Sequence, residues 1–240
     1  MPTSSRAQLR KLLERDEPLI MPGAYDCISA RFIEQAGFDA VYMTGAGTAA
    51  SLGYPDYGLT TLDEMAGNAG RIARAVNVPV IADADTGFGN ELNVVRTIRE
   101  YEMRGVAGLH IEDQTFPKRC GHIENKSVID KTAYLNKMAA AVDARTDRDF
   151  YIIARTDARA MLGLDEAIAR ANGALALGAD AAFVEAAQSI DELAEIPRRV
   201  NGPCLLNIVW RGKTPDVSFD EARRMGYRLV ILPGLLFKSV

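Results

Sequence analysis

Eight short apolar runs, separated by segments of helical periodicity, limit how this 240-residue chain can fold. Each run is rich in Val, Ile, Leu or Ala, and the runs lie at 19–22, 40–44, 78–83, 106–112, 150–155, 179–185, 203–207 and 228–233. Strands that are apolar almost throughout are typical of a parallel sheet covered by helices on both faces. Eight strand–helix units in a chain of this length predict an α/β protein with a (β/α)8 TIM barrel, forming one domain over residues 1–240.

The helix boundaries support this alternation. Thr61, Ser189 and Ser218 each stand three residues before a glutamate, the spacing of a capping box at a helix start. The residues after the last run, 234–240, are too few for a full eighth helix. We therefore expect the eighth helix to be incomplete in this chain, and the residues leave open whether its place is filled by a partner subunit.

The composition excludes several classes of protein. The net charge is −4 and no block of basic residues occurs, which argues against a nucleic-acid partner. No apolar run approaches the roughly 18 residues that a membrane-spanning helix needs, and the polar N-terminus lacks the apolar core of a secretory signal. The three cysteines form no Cys-x-x-Cys pair, which indicates a reducing compartment. We expect a cytoplasmic protein without a membrane partner.

Six of the predicted strands end in a polar side chain. The residues at these ends are Thr44, Asp83, Glu112, Arg155, Glu185 and Asn207. In a barrel the carboxyl ends of all strands meet at one rim, where the active sites of this fold lie. Because four of the six are charged and isolated buried charges are costly, we interpret them as parts of one functional site.

The acidic strand ends predict a site for a hard cation. Asp83 and Asp85 leave the same strand at alternate positions and can point to the same side, and Glu112 is a third ligand, directly or through water. Mg²⁺ suits such a set because it takes one or two carboxylates and keeps several waters, with Mn²⁺ as an alternative ion. Zinc is disfavoured because the chain has two histidines without ligand spacing. Arg155 is suited to a bidentate contact with a carboxylate, so the expected ligand is a small polyanion chelated to Mg²⁺.

A thiol lies among cations in residues 114–126, QTFPKRCGHIENK. Cys120 has Lys118, Arg119, His122 and Lys126 as neighbours in sequence. Positive neighbours favour the thiolate form, so this pattern predicts a reactive cysteine. The alternative is a solvated loop that happens to contain a cysteine.

These residues carry a resemblance to a known family. The stretch KRCGH matches the signature K-[KR]-C-G-H of the isocitrate lyase / phosphoenolpyruvate mutase superfamily, and AYDCISA, YMTGAG, LGYPD, DADTGFGN, HIEDQ, ARTDA and GKTP also resemble it. The chain is most similar to the short bacterial and plant members: the 2-methylisocitrate lyases, 2,3-dimethylmalate lyases and carboxyvinyl-carboxyphosphonate phosphorylmutases. The resemblance implies a barrel that exchanges its eighth helix within a homodimer, commonly inside a homotetramer.

The resemblance also implies roles for the matching residues. It assigns Mg²⁺ to Asp83 and Asp85, with Asp56 and Glu112 in the outer shell. It assigns substrate binding to Thr44, Gly45, Ala46, Gly121, Arg155, Glu185 and Asn207, with His122 and Gly121 contacting the second product.

The implied catalytic groups are Cys120 as the general acid that protonates a carbanion and Tyr42 on the base side. Lys118 and His122 would stabilise the thiolate beside Cys120, and Arg155 would hold the substrate.

The implied activity is a Mg²⁺-dependent carbon–carbon lyase. Its substrate would be a 2-hydroxy di- or tricarboxylate of the 2-methylisocitrate or 2-alkylmalate type, cleaved to a 2-oxo acid and a carboxylate. The alternatives are a phosphorylmutase that forms a phosphorus–carbon bond, an oxaloacetate hydrolase or decarboxylase, and a barrel that binds without turnover. One departure leaves the substrate open: Trp210-Arg211 stands where relatives commonly have Glu-Gly. A dinucleotide site at GAGTAA is disfavoured because no long helix is expected to follow it.

Overall fold

The computed structural model describes residues 4–119, 121, 126–210 and 212–237. Its strands are β1 (Leu19–Ala24), β2 (Val41–Met43), β3 (Val80–Asp83), β4 (Gly108–Glu112), β5 (Tyr151–Thr156), β6 (Ala181–Val184), β7 (Leu205–Asn207) and β8 (Leu229–Leu232). Its helices are α1 (Ser5–Leu13), α2 (Cys27–Gln35), α3 (Gly45–Ser51), α4 (Leu62–Ala75), α5 (Glu91–Met103), α6 (Lys131–Ala144), α7 (Arg159–Leu162), α8 (Leu164–Ala176), α9 (Ile190–Arg199) and α10 (Phe219–Met225).

The eight strands form one parallel sheet that curves into a barrel. The order of hydrogen-bonded neighbours is β6-β5-β4-β3-β2-β1-β8-β7. A single parallel bridge between Ala182 and Cys204 joins β6 to β7 and nearly closes the ring. The predicted (β/α)8 barrel is therefore confirmed, and every predicted apolar run contains a strand.

Side-chain caps fix where several helices begin. The hydroxyls of Thr61 and Ser218 each accept from the backbone N–H of the glutamate three residues on. The carboxylate of that glutamate in turn accepts from the backbone N–H of the capping residue. Ser189 also caps its helix, but the carboxylate of Glu192 pairs with Arg159 at 2.7 Å. The three predicted helix starts are confirmed, and one lacks the reciprocal bond because an arginine competes for the glutamate.

Helix α1 covers the amino-terminal end of the barrel. Its Leu9 and Leu12 are buried in the cluster that fills the barrel interior, together with Tyr151 and Ile153. Arg10 lies over the ring of Tyr151, with 4.7 Å from its guanidinium carbon to the ring centroid. Because this end is filled with apolar side chains, the cavity of the barrel is left to the carboxyl end of the strands.

The helices form the outer layer. The longest, α4 and α6, have 14 residues each. Within the part of the chain that the structure describes, no helix has both the length and the apolar character to cross a membrane. After β8 the described residues 233–237 form turns, and the incomplete eighth helix stays a prediction.

Leu9 provides a test of how the barrel end is closed. Replacing it by Ala should lower the free energy of unfolding by about 2–5 kcal/mol, because a fully buried side chain leaves a cavity in the barrel interior. Denaturant unfolding followed by circular dichroism measures the change. The matched control is Leu92→Ala on the exposed face of α5, where Leu92 is 78% exposed and the expected change is below about 0.5 kcal/mol. Equal effects in both variants would contradict this role of α1.

Candidate active site

A cavity of about 200 Å³ opens at the carboxyl end of the barrel. Most of the predicted site residues line it: Tyr42, Thr44, Ala46, Asp56, Asp83, Lys118, Gly121, Arg155, Glu185 and Asn207. The sequence analysis did not identify a second group of lining residues, which are mainly apolar or small: Val209, Gly212, Pro233, Gly234 and Phe237. The cavity therefore has a charged side and an apolar side.

The remaining predicted residues lie in two other places. Gly45, Asp85 and Glu112 are buried beside the cavity without lining it. Cys120 and His122 lie outside the described residues. Their predicted roles stay predictions.

Lys118 joins two of the predicted metal carboxylates. Its Nζ lies 2.6 Å from Oδ1 of Asp56 and 2.8 Å from Oδ1 of Asp85, and its side chain is 4% exposed. The backbone N–H of Asp85 donates to Oδ1 of Asp83 at 2.9 Å. Tyr101 donates to the carbonyl of Asp83 at 2.9 Å, which fixes the end of β3. The acidic pair and Lys118 thus form one buried cluster.

The pKa values of the two aspartates of this cluster are shifted in opposite directions. Burial raises the pKa of Asp85 to about 6, since the nearby carboxylates of Asp83 and Asp56 add to the effect and Lys118 offsets only part of it. Burial acts to raise the pKa of Asp83 too, but positive charges around it hold its pKa at about 2. Burial lowers the pKa of His110 to about 4, so at neutral pH the ring is uncharged, and Lys118 and Arg155 are the cations that keep Asp83 ionised.

Arg155 is held by carboxylates from its own strand and from both neighbouring strands. Its guanidinium lies 3.0 Å from Glu112, 3.0 Å from Asp157 and 3.5 Å from Glu185. It also lies over the ring of Phe183, with 5.1 Å to the ring centroid. These contacts orient a buried cation toward the cavity, where it can bind a carboxylate.

Two glycines allow close packing at the site. A Cβ at Gly45 would lie 2.4 Å from Oδ2 of Asp83. A Cβ at Gly121 would lie 2.7 Å from Nη2 of Arg155 and 2.8 Å from Cγ of Glu185. No side chain fits at either distance, so the backbone at Gly45 approaches the carboxylate of Asp83 and the backbone at Gly121 approaches the guanidinium of Arg155.

Tyr42 and His110 form a buried hydrogen bond inside the barrel. The hydroxyl of Tyr42 lies 2.8 Å from Nε2 of His110 and 3.4 Å from Oδ2 of Asp83. Nδ1 of His110 lies 3.8 Å from Oδ1 of Asp83, so with its proton on Nδ1 the ring accepts from the phenol. Burial raises the pKa of Tyr42 well above its usual range, so it is a phenol at neutral pH. The sequence analysis did not identify this contact, because Tyr42 and His110 lie on strands separated by β3 and no local pattern joins them.

A second polar network lies behind Arg155. Lys126 donates to Asp157 at 2.5 Å, and Asp113 accepts from the backbone N–H of Asp157 at 2.8 Å. Arg170 of α8 donates to Asp113 at 3.0 Å. The sequence analysis took Lys126 only as a cation near Cys120 and gave no role to Asp157, Asp113 or Arg170, although Asp157 two positions after Arg155 and Asp113 beside Glu112 were signals.

The carboxylates fit a hard cation that keeps its waters. Oε1 of Glu112 is buried and has no hydrogen-bond partner among the described residues. Burial also raises the pKa of Glu112 well above its usual range, which a nearby dication would reverse. Within the described residues no group of three or more His, Cys, Asp or Glu side chains is arranged to hold a metal, because Lys118 and Arg155 occupy part of the acidic set. Asp83 with Asp85 satisfies Mg²⁺, which needs one or two carboxylates, and does not satisfy zinc.

Comparison with protein families and with known sequences identifies relatives of this chain. The family model described as phosphoenolpyruvate phosphomutase matches residues 9–240. The 2,3-dimethylmalate lyase of Eubacterium barkeri is 46% identical over 96% of this chain and 80% of its own length. The 2-methylisocitrate lyase of Aeropyrum pernix is 46% identical over 96% of this chain and 74% of its own. The chloroplastic carboxyvinyl-carboxyphosphonate phosphorylmutase of Arabidopsis thaliana is 45% identical over 96% of this chain and 70% of its own.

Solved structures agree with these sequence relatives. Oxaloacetate acetylhydrolase bound to 3,3-difluorooxalacetate superimposes with a TM-score of 0.96 and 41% identity, covering 98% of this chain and 82% of that one. Phosphonopyruvate hydrolase bound to oxalate and Mg²⁺ superimposes with a TM-score of 0.88 and 29% identity, covering 99% and 83%. The chain therefore belongs to the phosphoenolpyruvate phosphomutase family, within the isocitrate lyase / phosphoenolpyruvate mutase superfamily, and is an enzyme of that superfamily's carbon–carbon lyase class.

Proposed function

We propose that this enzyme is a Mg²⁺-dependent lyase that cleaves a 2-hydroxy di- or tricarboxylate of the 2-methylisocitrate or 2-alkylmalate type. The products are a 2-oxo acid and a second carboxylate. The observation that carries the proposal is that Asp83, the oriented guanidinium of Arg155 and the backbone of Gly121, next to Cys120, line one cavity. The similarity to enzymes named 2,3-dimethylmalate lyase and 2-methylisocitrate lyase supports it.

The metal belongs at the acidic side of the cavity. Asp83 and Asp85 would hold Mg²⁺, with Asp56 and Glu112 reached through water, and Mn²⁺ is expected to substitute. Bound there, the ion would neutralise the charge on the oxygens of the 2-oxo acid product. The bound Mg²⁺ and oxalate in the structure of phosphonopyruvate hydrolase support this assignment.

The rest of the cavity orients the substrate. Arg155 would bind a substrate carboxylate, while Thr44 and Ala46 meet the oxo-acid end. The apolar side, formed in part by Val209 and Phe237, favours an alkyl group on the substrate over a hydrogen or a charged group.

Two proton transfers complete the proposed reaction. Tyr42 takes the proton of the substrate 2-hydroxyl, passing its own to Nε2 of His110, which lies 2.8 Å away. The carbon–carbon bond then breaks, the new carbonyl stays on the 2-oxo acid, and the electron pair of the bond stays on the leaving carbon. The thiol of Cys120 protonates that carbon and becomes a thiolate.

Two other activities have support of their own. The 45% identity to a phosphorylmutase favours phosphorus–carbon chemistry, but the lining cations among the described residues are Lys118 and Arg155, both already paired with carboxylates. The superposition with oxaloacetate acetylhydrolase favours hydrolysis of oxaloacetate. The apolar side of the cavity favours an alkyl-substituted acid over both.

We also propose that the chain acts as a homo-oligomer, a dimer or tetramer. Support comes from the exposed apolar side chains of α2, Ile28 and Phe32, which are 65% and 60% exposed. Light scattering coupled to gel filtration measures the mass and tests this.

A substrate panel tests the reaction class. Purified protein is assayed with 2-alkylmalates, 2,3-dimethylmalate, 2-methylisocitrate, isocitrate and oxaloacetate, with Mg²⁺ and with a chelator, and release of 2-oxo acids is followed. We expect Mg²⁺-dependent release of pyruvate from an alkyl-substituted acid. Turnover of oxaloacetate alone would contradict the lyase assignment and favour the hydrolase.

Cys120 tests the proposed proton donor. Cys120→Ser should lower kcat by at least about a hundredfold, since a hydroxyl is a far weaker acid than a thiol, while oxalate still binds in the presence of Mg²⁺. Steady-state kinetics and oxalate inhibition measure the two quantities. Cys27→Ser, at the start of α2 and away from the cavity lining, is the matched control and should leave both unchanged. Full activity in Cys120→Ser would remove Cys120 from the mechanism.

Gly45 tests the metal pair without removing a charge. Gly45→Ala forces a methyl group to 2.4 Å from Asp83, so we expect a raised Mg²⁺ requirement and at least about a tenfold loss of kcat/KM. The matched control is Gly67→Ala in α4, where the nearest atom is 3.5 Å away and stability should rise by up to about 1 kcal/mol. Unchanged Mg²⁺ dependence in Gly45→Ala would contradict the placement of the ion at Asp83.

A further inference from the structure

The ammonium group of Lys126 is buried between the backbone of Gly121 and the carboxylate of Asp157, which follows β5. Its side chain is 2% exposed. Nζ donates to the carbonyl of Gly121 at 2.5 Å and to Oδ1 of Asp157 at 2.5 Å. A buried ammonium is costly unless it is paired and hydrogen-bonded. The two contacts therefore fix where Lys126 lies, and through it they fix the Gly121 carbonyl.

Asp157 shares its carboxylate between two cations. Oδ1 accepts from Lys126, and Oδ2 accepts from Nε of Arg155 at 3.0 Å. The residue is fully buried, and its backbone N–H donates to Asp113 at 2.8 Å. Asp113 in turn accepts from Thr156 at 2.6 Å. The carboxylate that joins Lys126 to Arg155 is thus anchored to the barrel wall.

Gly121 contacts the same arginine from the other side. A Cβ at Gly121 would lie 2.7 Å from Nη2 of Arg155, so its backbone packs directly on the guanidinium. Gly121 follows Cys120 in the chain. The hydrogen bond from Lys126 to the Gly121 carbonyl therefore helps to determine how Gly121 is placed against Arg155.

We infer that Lys126 is a positioning residue that holds the backbone of Gly121, the residue after Cys120, against Arg155, through the Gly121 carbonyl and Asp157. The inference rests on the proposed function in one respect: it gives Cys120 the role of proton donor. Without Lys126, Arg155 still has Glu112 at 3.0 Å and Asp157 at 3.0 Å, so binding of the oxo acid is retained while proton delivery is impaired.

The kinetic test separates binding from turnover. Lys126→Met removes the ammonium and keeps most of the side-chain volume. We expect kcat to fall by at least about tenfold and the inhibition constant of oxalate with Mg²⁺ to change by less than about threefold. The matched control is Lys131→Met, because Lys131 is 43% exposed and pairs only on the surface with Glu166 at 3.2 Å. A loss of kcat in Lys126→Met no larger than in the control would overturn the inference, as would a loss of oxalate binding as large as the loss of kcat.

A second readout does not depend on turnover. Alkylation of Cys120 by iodoacetamide is followed by mass spectrometry of the peptide, with Cys27 as an internal reference in the same sample. Releasing the Gly121 carbonyl should change the alkylation rate of Cys120 by at least about fivefold and leave that of Cys27 unchanged. An unchanged rate at Cys120 overturns the inference. Because this result needs no substrate, failure of the inference can be told apart from failure of the proposed reaction.

A double-mutant cycle covers the case in which Lys126→Met does not fold. Lys126→Gln keeps a hydrogen-bond donor but removes the charge, and Asp157→Asn removes the charge of the shared carboxylate. If Lys126 acts through Asp157, the fold loss of kcat in the double variant is smaller than the product of the fold losses in the two single variants. Independent effects would overturn the proposed path through Asp157.

Discussion

The buried guanidinium of Arg155 is the group on which the arrangement of this site depends. A cation in the interior is tolerated only when opposite charges meet it with good geometry. The parallel register supplies them: Glu112 of β4 is the partner of Arg155 across the ladder, and Glu185 follows β6 on the other side. Because carboxylates from neighbouring strands converge on one cation, the carboxyl end of the barrel is drawn into a compact charged cluster.

This cluster divides the cavity into regions with different chemistry. On one side Asp83, Asp85 and Asp56 surround Lys118 and leave more negative than positive charge, which favours a divalent ion. On the other side Arg155 offers a positive surface to a carboxylate. The apolar residues after β7 and β8 complete the wall. A substrate with two carboxylates and an alkyl group matches these regions, which is why the proposed lyase reaction suits the geometry.

The same cluster also contacts the backbone of Gly121, the residue that follows Cys120. Gly121 packs against Arg155, and Lys126 holds its carbonyl from behind. Small displacements of a proton donor relative to a bound substrate cause large losses of rate, because the reacting atoms must be about 3–3.5 Å apart. Lys126, which is buried and holds the Gly121 carbonyl, is a means of limiting such displacements.

Much of the fold and part of the candidate site could be predicted from the sequence, and the remainder depends on the register of the strands. The barrel and five of the cavity residues follow from apolar runs that end in polar side chains, since a parallel barrel places all those ends together. Four more, Tyr42, Ala46, Asp56 and Gly121, were predicted from the family resemblance. Asp85 and Glu112 lie beside the cavity, with oxygens paired to Lys118 and Arg155, and their places at the ion stay predictions because no local pattern shows these pairings. The approach of Gly45 to Asp83 and the bond from Lys126 to Gly121 depend on distances across the barrel, which no local pattern contains.

The most direct measurement of the central claim is calorimetric titration of oxalate into the protein, with Mg²⁺ and with a chelator. Oxalate imitates a 2-oxo acid, and in the proposed site it would need both the ion at Asp83 and Asp85 and the contact with Arg155. The account predicts that binding weakens by at least about a hundredfold in the chelator and weakens again in Arg155→Gln. Equal affinity with and without Mg²⁺ would contradict the claim that this rim of carboxylates is built around a divalent ion.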